Sequence, residues 1–413
     1  MSAFVTEYMN YVQLDSSEAP ANYHRWACLS MLGAMLGRQV WLPFGSGRIY
    51  PNQYFMLMGP PATKKGTAIN IAKDIMRGAG YARFAPDRAS KEAFVRSMKQ
   101  MDTMEEDLEL LTFDAPAESY IVAGEFVDFL GQGDIGFLMT LTNLWDNLPE
   151  YVHPKLTGKD VKVIKPTVNI LAGSTATTFS IAFPPESLGT GTLSRILLIH
   201  GEASGNKIAW PTPPDDLQKE MLIAHMKDVK LHMHGQYTIT KAARDVGEYI
   251  YKHRIPVADE RFNHYMERRH IHMIKLAMNL AASELRMVID VEDIIRGNTM
   301  LAMAEHVMPK ALGTFGASRY SDATNKVIDY ILRKFSRAGA RPCTTPELWK
   351  IVSNDLNGMK ELQDILVNLK LAEKIQTENI GGVLGYVPLY KEAERWKEEF
   401  LDNNWLTPHE RLL

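Results

Sequence analysis

Gly59-Pro60-Pro61-Ala62-Thr63-Lys64-Lys65-Gly66-Thr67 follows the apolar run Tyr54 to Met58. It leads into Ala68-Ile69-Asn70-Ile71-Ala72-Lys73-Asp74-Ile75-Met76, whose apolar spacing is helical. Strand, tight lysine-bearing loop and helix together suit a triphosphate. Backbone N–H groups and a helix N-terminus face the anion, and a lysine reaches the outer phosphates. The common form of this loop is Gly, four residues, Gly, Lys, then Ser or Thr. Gly59 and Lys65 keep that register, whereas Lys64 replaces the second glycine, Gly66 stands at the hydroxyl position and Thr67 comes one place late.

From Tyr54 onward the patterns alternate between strand and helix, which predicts an α/β fold built on a parallel sheet. Strands are expected at Tyr54–Met58, near Ala82–Ala85, at Ser119–Ala123, Thr167–Ala172 and Ile196–His200. Helices are expected at Thr67–Arg77, from Ser90 to Met101, and at Ile135–Leu144. Ahead of the loop, residues 1–48 read as two helices, the second closed by Gly37, with Tyr50 and Asn52 placed to seat a nucleotide base. Glu150–His153 and Val161–Ile164 alternate as a hairpin around Thr157-Gly158-Lys159-Asp160. After Pro211, Pro213 and Pro214 the patterns are helical to about 312. The last part reads as three helices and two short strands around Gly381-Gly382, the fold of a winged helix-turn-helix. Thr345-Pro346-Glu347 opens its second helix, and a charged tail follows, expected as a terminal helix.

With 413 residues the chain is long enough for more than one unit, and a net charge of −3 excludes a strong overall field for nucleic acid. Any such contact must come from local basic features. The two cysteines, Cys28 and Cys343, form no motif, which fits a reducing, cytoplasmic setting. No apolar run approaches the roughly 20 residues of a membrane span. The histidines and cysteines have no zinc-ligand spacing.

A phosphate loop that hydrolyses its ligand needs a carboxylate at a neighbouring strand end. Glu125, directly after the strand at 120–123, takes that part, with Gly124 where an aspartate often stands. Thr67 and Glu125 are the candidate Mg²⁺ ligands, with Asp128 as a substitute. Ser174-Thr175 ends the next strand and can meet the outer phosphate. Arg195, immediately before the last strand, suits charge stabilisation from a neighbouring subunit. The hairpin lysines Lys155, Lys159 and Lys162 are candidates for single-strand phosphates, the alternative being a solvated edge. Trp145 and Tyr151 could stack on bases or pack in the core. The helix expected to read duplex DNA offers only Lys360 and Lys370.

In this order, the phosphate loop, strand-Glu, basic hairpin, strand-polar turn, Leu193-Ser194-Arg195, helical segment and winged helix resemble the AAA+ ATPases. The likeness is to the minichromosome-maintenance (MCM) helicases and to helicase-like ATPases of phages and mobile elements. Asn22-Tyr23-His24-Arg25-Trp26 and Tyr50-Pro51-Asn52 also look like the phage group. The resemblance implies an AAA+ P-loop core at 49–210, a pre-sensor hairpin at about 150–165, a helical lid at 211–316, a winged helix at 317–392 and a tail at 393–413. It implies ATP and Mg²⁺, an arginine finger at Arg195 and Lys275 at a sensor-2 position. It further implies single-stranded or forked DNA as partner, a homo-oligomeric ring, as a hexamer, and contacts with other replication proteins through the winged helix. A replication initiator or helicase loader that uses ATP as a switch is the alternative.

Overall fold

The computed structural model describes residues 3–12, 17–103, 116–154, 160–184, 187, 191–213, 215–257, 259–313, 315, 321–335, 341–371, 374–389 and 398–405. The protein is α/β with a four-stranded parallel sheet, and the chain divides into two compact units, Met1–Leu312 with Glu398–Leu413, and Gly313–Lys397.

In the first unit, α1 (Ala3–Tyr11) and α2 (Ala21–Leu36) precede the sheet. Gly37, at φ 51°, ends α2 in the left-handed region that glycine tolerates. A small hairpin of β1 (Val40–Phe44) and β2 (Gly47–Ile49) follows. Then comes β3 (Tyr54–Met58), buried at every residue as a central parallel strand must be. The loop leads into α3 (Lys65–Gly78), then α4 (Lys91–Thr103) and β4 (Glu118–Ala123). Between α3 and α4 the expected strand shrinks to one parallel bridge, Phe84 to Tyr120. Pro86 has no N–H with which to extend it.

The chain continues through α5 (Phe126–Leu130), α6 (Ile135–Trp145), the antiparallel pair β5 (Glu150–His153) and β6 (Val161–Ile164), β7 (Thr167–Ser174), α7 (Ala176–Ala182) and β8 (Ile196–His200). The sheet order is β4-β7-β3-β8, so β7 separates the strand that leads to Gly124-Glu125 from the strand that opens the loop. Beyond it lie α8 (Asp216–His232), β9 (Gly235–Gln236), β10 (Thr238–Ile239), α9 (Lys241–Lys252), α10 (Asn263–Ala282), β11 (Val288–Ile289) and α11 (Val291–Leu312). β9 pairs with β1, which ties this helical region to the rest of the unit, and β10 pairs with β11 within it. An internal ion pair, Arg269 with Glu305 at 2.6 Å, joins α10 to α11.

Over 398–405, the part of the tail that is described, the chain differs from the expected helix. Glu398–Phe400 and Asn403–Trp405 are single 3₁₀ turns packed on the first unit. Trp405 is fully buried between the guanidinium groups of Arg25 and Arg296, Phe400 stacks on Tyr249, and Arg296 also meets Asp402 at 3.3 Å. A tryptophan in a charged segment has far more to gain from burial than its neighbours, and that decides the path of the chain.

The second unit holds α12 (Ser321–Phe335), α13 (Thr345–Val352), α14 (Met359–Leu371) and the antiparallel pair β12 (Ile375–Ile380) and β13 (Val383–Pro388). Val327, Ile331, Leu348, Leu362 and Leu366 form its own core. Thr344 and Glu347 make a reciprocal capping box at the start of α13. Among the described residues, no helix is long and apolar enough to cross a membrane.

Candidate functional site

All strands of the parallel sheet release their chains at one edge. There the 59–67 loop follows β3, Gly124-Glu125 follows β4, Thr175 follows β7 and Gly201 follows β8. The carboxyl edge of such a sheet is where ligands of open α/β folds bind. Ala62 and Lys64 adopt φ values of 66° and 59°, unusual for residues with side chains, and bend the loop into the start of α3. Backbone N–H groups in such turns form a concavity suited to anions. Gly59 donates to Ser174 O at 3.3 Å, fixing the loop to the neighbouring strand.

Lys65 is buried at 6% exposure, its ammonium within 3.0 Å of both Gly59 O and Pro60 O. Burial lowers its pKa from the ordinary lysine value, and the Glu125 carboxylate opposes that shift. Glu125 is part-buried at the end of β4, across the width of β7 from the loop. Its Oε2 accepts from the Thr178 hydroxyl at 3.0 Å, and that hydroxyl also contacts Ser174 Oγ at 2.9 Å and Thr175 Oγ1 at 3.0 Å. Loop lysine, carboxylate and strand-end hydroxyls are therefore brought together. Thr67 lies exposed on the first turn of α3.

Glycines make this convergence possible. A Cβ on Gly173 would meet Gly124 O at 2.2 Å, so the ends of β7 and β4 approach only because no side chain intervenes. One on Gly59 would meet the Tyr23 hydroxyl at 2.4 Å and Gly201 O at 2.5 Å.

Lys275 and Asn52 do not join the site. Asn52 precedes β3 and is fully buried at the amino edge of the sheet, a strand's length from the loop. It cannot seat a base beside Lys65, and Tyr50, which precedes it, instead lies under the Arg38 guanidinium. The Lys275 ammonium is 2% exposed, 2.7 Å from Asn52 Oδ1, and lies over the Trp145 ring. Burial holds its pKa well below the ordinary value. The expected sensor position is thus interior, with no surface to offer another chain. Arg195 also lies at the amino edge, 7% exposed and 2.5 Å from Asp146 Oδ2, with Arg268 at 3.7 Å from the other oxygen. Trp145, 3% exposed beneath these cations, is core.

Of the hairpin lysines, Lys155 and Lys159 lie outside the described residues. Lys162 is exposed and 2.5 Å from Glu150 Oε2. The Tyr151 hydroxyl meets Thr140 Oγ1 at 3.2 Å.

Two contributors escaped the sequence reading. Thr178 is one. The other is α2, whose Tyr23 hydroxyl reaches Met58 O at 2.6 Å and Gly201 O at 3.1 Å, while Asn22 donates to His200 O at 2.8 Å. Just before α2, Glu18 pairs with Lys64 at 2.8 Å, which lowers the Glu18 pKa. The clustered polar residues Asn22-Tyr23-His24-Arg25 in an otherwise apolar helix were the available signal.

Among the described residues no group of three or more His, Cys, Asp or Glu could hold a metal by itself. Mg²⁺ bound with a triphosphate needs only one or two protein oxygens; of the two expected ligands, Glu125 lies at this edge and Thr67 is exposed on the first turn of α3. No protein-family model and no curated protein matches the chain.

Proposed function

We propose that the protein is an ATP-hydrolysing motor of the AAA+ type, acting on single-stranded DNA as a homo-oligomeric ring in the replication of a phage or mobile element. One observation carries the ATPase part: Lys65, Glu125 and the Thr175-Thr178 turn meet at the carboxyl edge of the parallel sheet, with β7 between β3 and β4. Adjacent strands lie about 4.8 Å apart, so one intervening strand leaves room for a terminal phosphate and a water between lysine and carboxylate.

In this reading the loop amides and Lys65 hold the β- and γ-phosphates. Glu125 takes a proton from the attacking water as the water oxygen bonds to the γ-phosphorus. The bond from that phosphorus to the bridging oxygen breaks, and ADP and phosphate leave. Thr67 and Glu125 would hold Mg²⁺, which would supply charge neutralisation on the phosphates. Arg195 sits at the opposite edge of the sheet from Lys65, so it can serve only the site of a neighbouring chain, and must leave Asp146 to do so. Helices α8–α11 act as the lid and the second unit as a winged helix that meets replication proteins. The hairpin lysines Lys155, Lys159 and Lys162 follow the DNA phosphates.

A second reading, an initiator or loader that uses ATP as a switch, is favoured by Lys162, whose charge is already matched by Glu150. The deciding experiment is ATP hydrolysis with and without single-stranded DNA, on wild type and Lys65→Ala. The motor gives hydrolysis that DNA stimulates strongly and that the substitution abolishes. Slow hydrolysis indifferent to DNA supports the switch, and no nucleotide binding in wild type ends both readings.

A further inference from the structure

Glu125 is held by a residue of another element. It stands at the N-cap of the short helix α5, yet its side chain makes no capping bond there. Instead its Oε2 meets Thr178 Oγ1 at 3.0 Å. Thr178 itself is locked from its own side. It is the third residue of α7, where its hydroxyl accepts from Thr175 N at 2.9 Å while Thr175 Oγ1 accepts from Thr178 N at 3.0 Å.

Proton counting fixes the two bonds that matter, from Thr175 N and to Glu125. A threonine hydroxyl gives one proton and has two lone pairs. The Thr175 amide can only donate, so it occupies one lone pair of Thr178. The Glu125 carboxylate can only accept, and an ionised acceptor outcompetes a neutral hydroxyl, so the Thr178 proton points at Oε2. The remaining lone pair accepts from Ser174 Oγ, at 2.9 Å, or from Thr175 Oγ1, at 3.0 Å. Glu125 Oε1 accepts no hydrogen bond from any described residue.

We propose that Thr178 is the positioning residue of this site. It pins Oε2 of Glu125 and thereby leaves Oε1 as the oxygen that takes the proton from water. Because its hydroxyl is set by the turn after β7, the carboxylate on β4 is aimed from the strand that lies between it and the phosphate loop. The inference rests on the ATPase reading above and adds to it which residue orients the base.

The test measures ATP turnover, KM, nucleotide binding and melting temperature for wild type, Thr178→Val, Thr178→Ser, Glu125→Gln and the double variant Thr178→Val/Glu125→Gln. Valine keeps the shape and removes the hydroxyl, whereas serine keeps the hydroxyl. General-base catalysis contributes about 10²–10⁴-fold, so misaiming the base should lower kcat of Thr178→Val by about tenfold or more. KM stays near wild type, the melting temperature falls by no more than the lost cap bond from Thr175 N accounts for, and serine restores the rate. In the Glu125→Gln background the valine substitution adds no further loss, because the group it positions is gone. Wild-type rate in Thr178→Val overturns the proposal and leaves the ATPase reading intact. So does an equal loss in the Glu125→Gln background, or failure of serine to rescue a stable protein, since either marks a structural role for the cap. A wild type that binds ATP without hydrolysing it, or does not bind it, overturns both.

Discussion

The Tyr23 hydroxyl donates to Met58 O at 2.6 Å, so a helix ahead of the sheet holds the last residue of the strand that opens the phosphate loop. Burial pushes the phenol pKa up to about 12, so it remains a donor at every working pH. Gly201 N also donates to Met58 O, at 2.9 Å, which leaves that carbonyl one partner if the hydroxyl is lost. Tyr23→Phe should therefore destabilise the protein by about 1–2 kcal/mol rather than unfold it, and should raise KM for ATP as the loop loosens. Urea denaturation and steady-state kinetics check both effects. Unchanged stability would mean that α2 does not restrain the loop.

Gly173→Ala tests the close approach of β7 and β4. The new Cβ would lie 2.2 Å from Gly124 O, a backbone atom that cannot swing aside. Overpacking of this kind costs about 1–3 kcal/mol, and relief requires the Glu125 end of β4 to move away from the loop. Turnover should fall more than nucleotide binding does. Wild-type kinetics in a folded Gly173→Ala protein would show that the placement of Glu125 tolerates that movement.

Arg195 and Lys275 should separate on substitution. Mixing Lys65→Ala with Arg195→Ala subunits should recover part of the turnover that each lacks alone, because some interfaces then combine an intact loop with an intact arginine. No recovery on mixing would remove Arg195 from catalysis and leave it as the partner of Asp146. Lys275→Met should leave turnover near wild type. Methionine removes the donor to the buried Asn52 O and Oδ1, at 2.9 and 2.7 Å, so stability should fall by about 1–3 kcal/mol and the melting temperature with it. Loss of turnover in a stable Lys275→Met protein would contradict its interior position.

Acid should destabilise the protein through His24 and His272. Burial lowers their pKa values from 6.5 to about 4 and about 3. Below 6.5 the unfolded chain binds protons that the folded chain refuses, so stability is complete above that value and is lost as pH falls toward the folded values. Each histidine can contribute a slope of up to about 1.4 kcal/mol per pH unit in that window. Urea midpoints measured across it should fall with acid for wild type and fall less steeply for His272→Gln. Parallel curves for the two proteins would show that His272 does not titrate on unfolding.

The order of strands and helices, the phosphate loop and the carboxylate after β4 were legible in the sequence because each is a local matter. Burial of a parallel strand demands a continuous apolar run, and an amphipathic helix demands its own period. A left-handed helix end favours Gly37. The sequence alone also brought Lys65, Glu125 and Thr175 forward, since Glu125 and Thr175 stand just after apolar strands and Lys65 closes the loop that follows another. Which residues meet was decided by the tertiary structure. Tyr23 finds Met58 across 35 positions, Thr178 finds Glu125 across 53, and Lys275 finds Asn52 across 223. No spacing rule reaches so far. The Lys275 charge could be read as functional or interior with equal ease until α10 packed it over Trp145 at the amino edge of the sheet. Trp405 could be read as part of a charged tail until Arg25 and Arg296 enclosed it. In both cases the physical reason is the same: the cost or gain of removing a side chain from water depends on what surrounds it, and the surroundings come from elements distant in the chain.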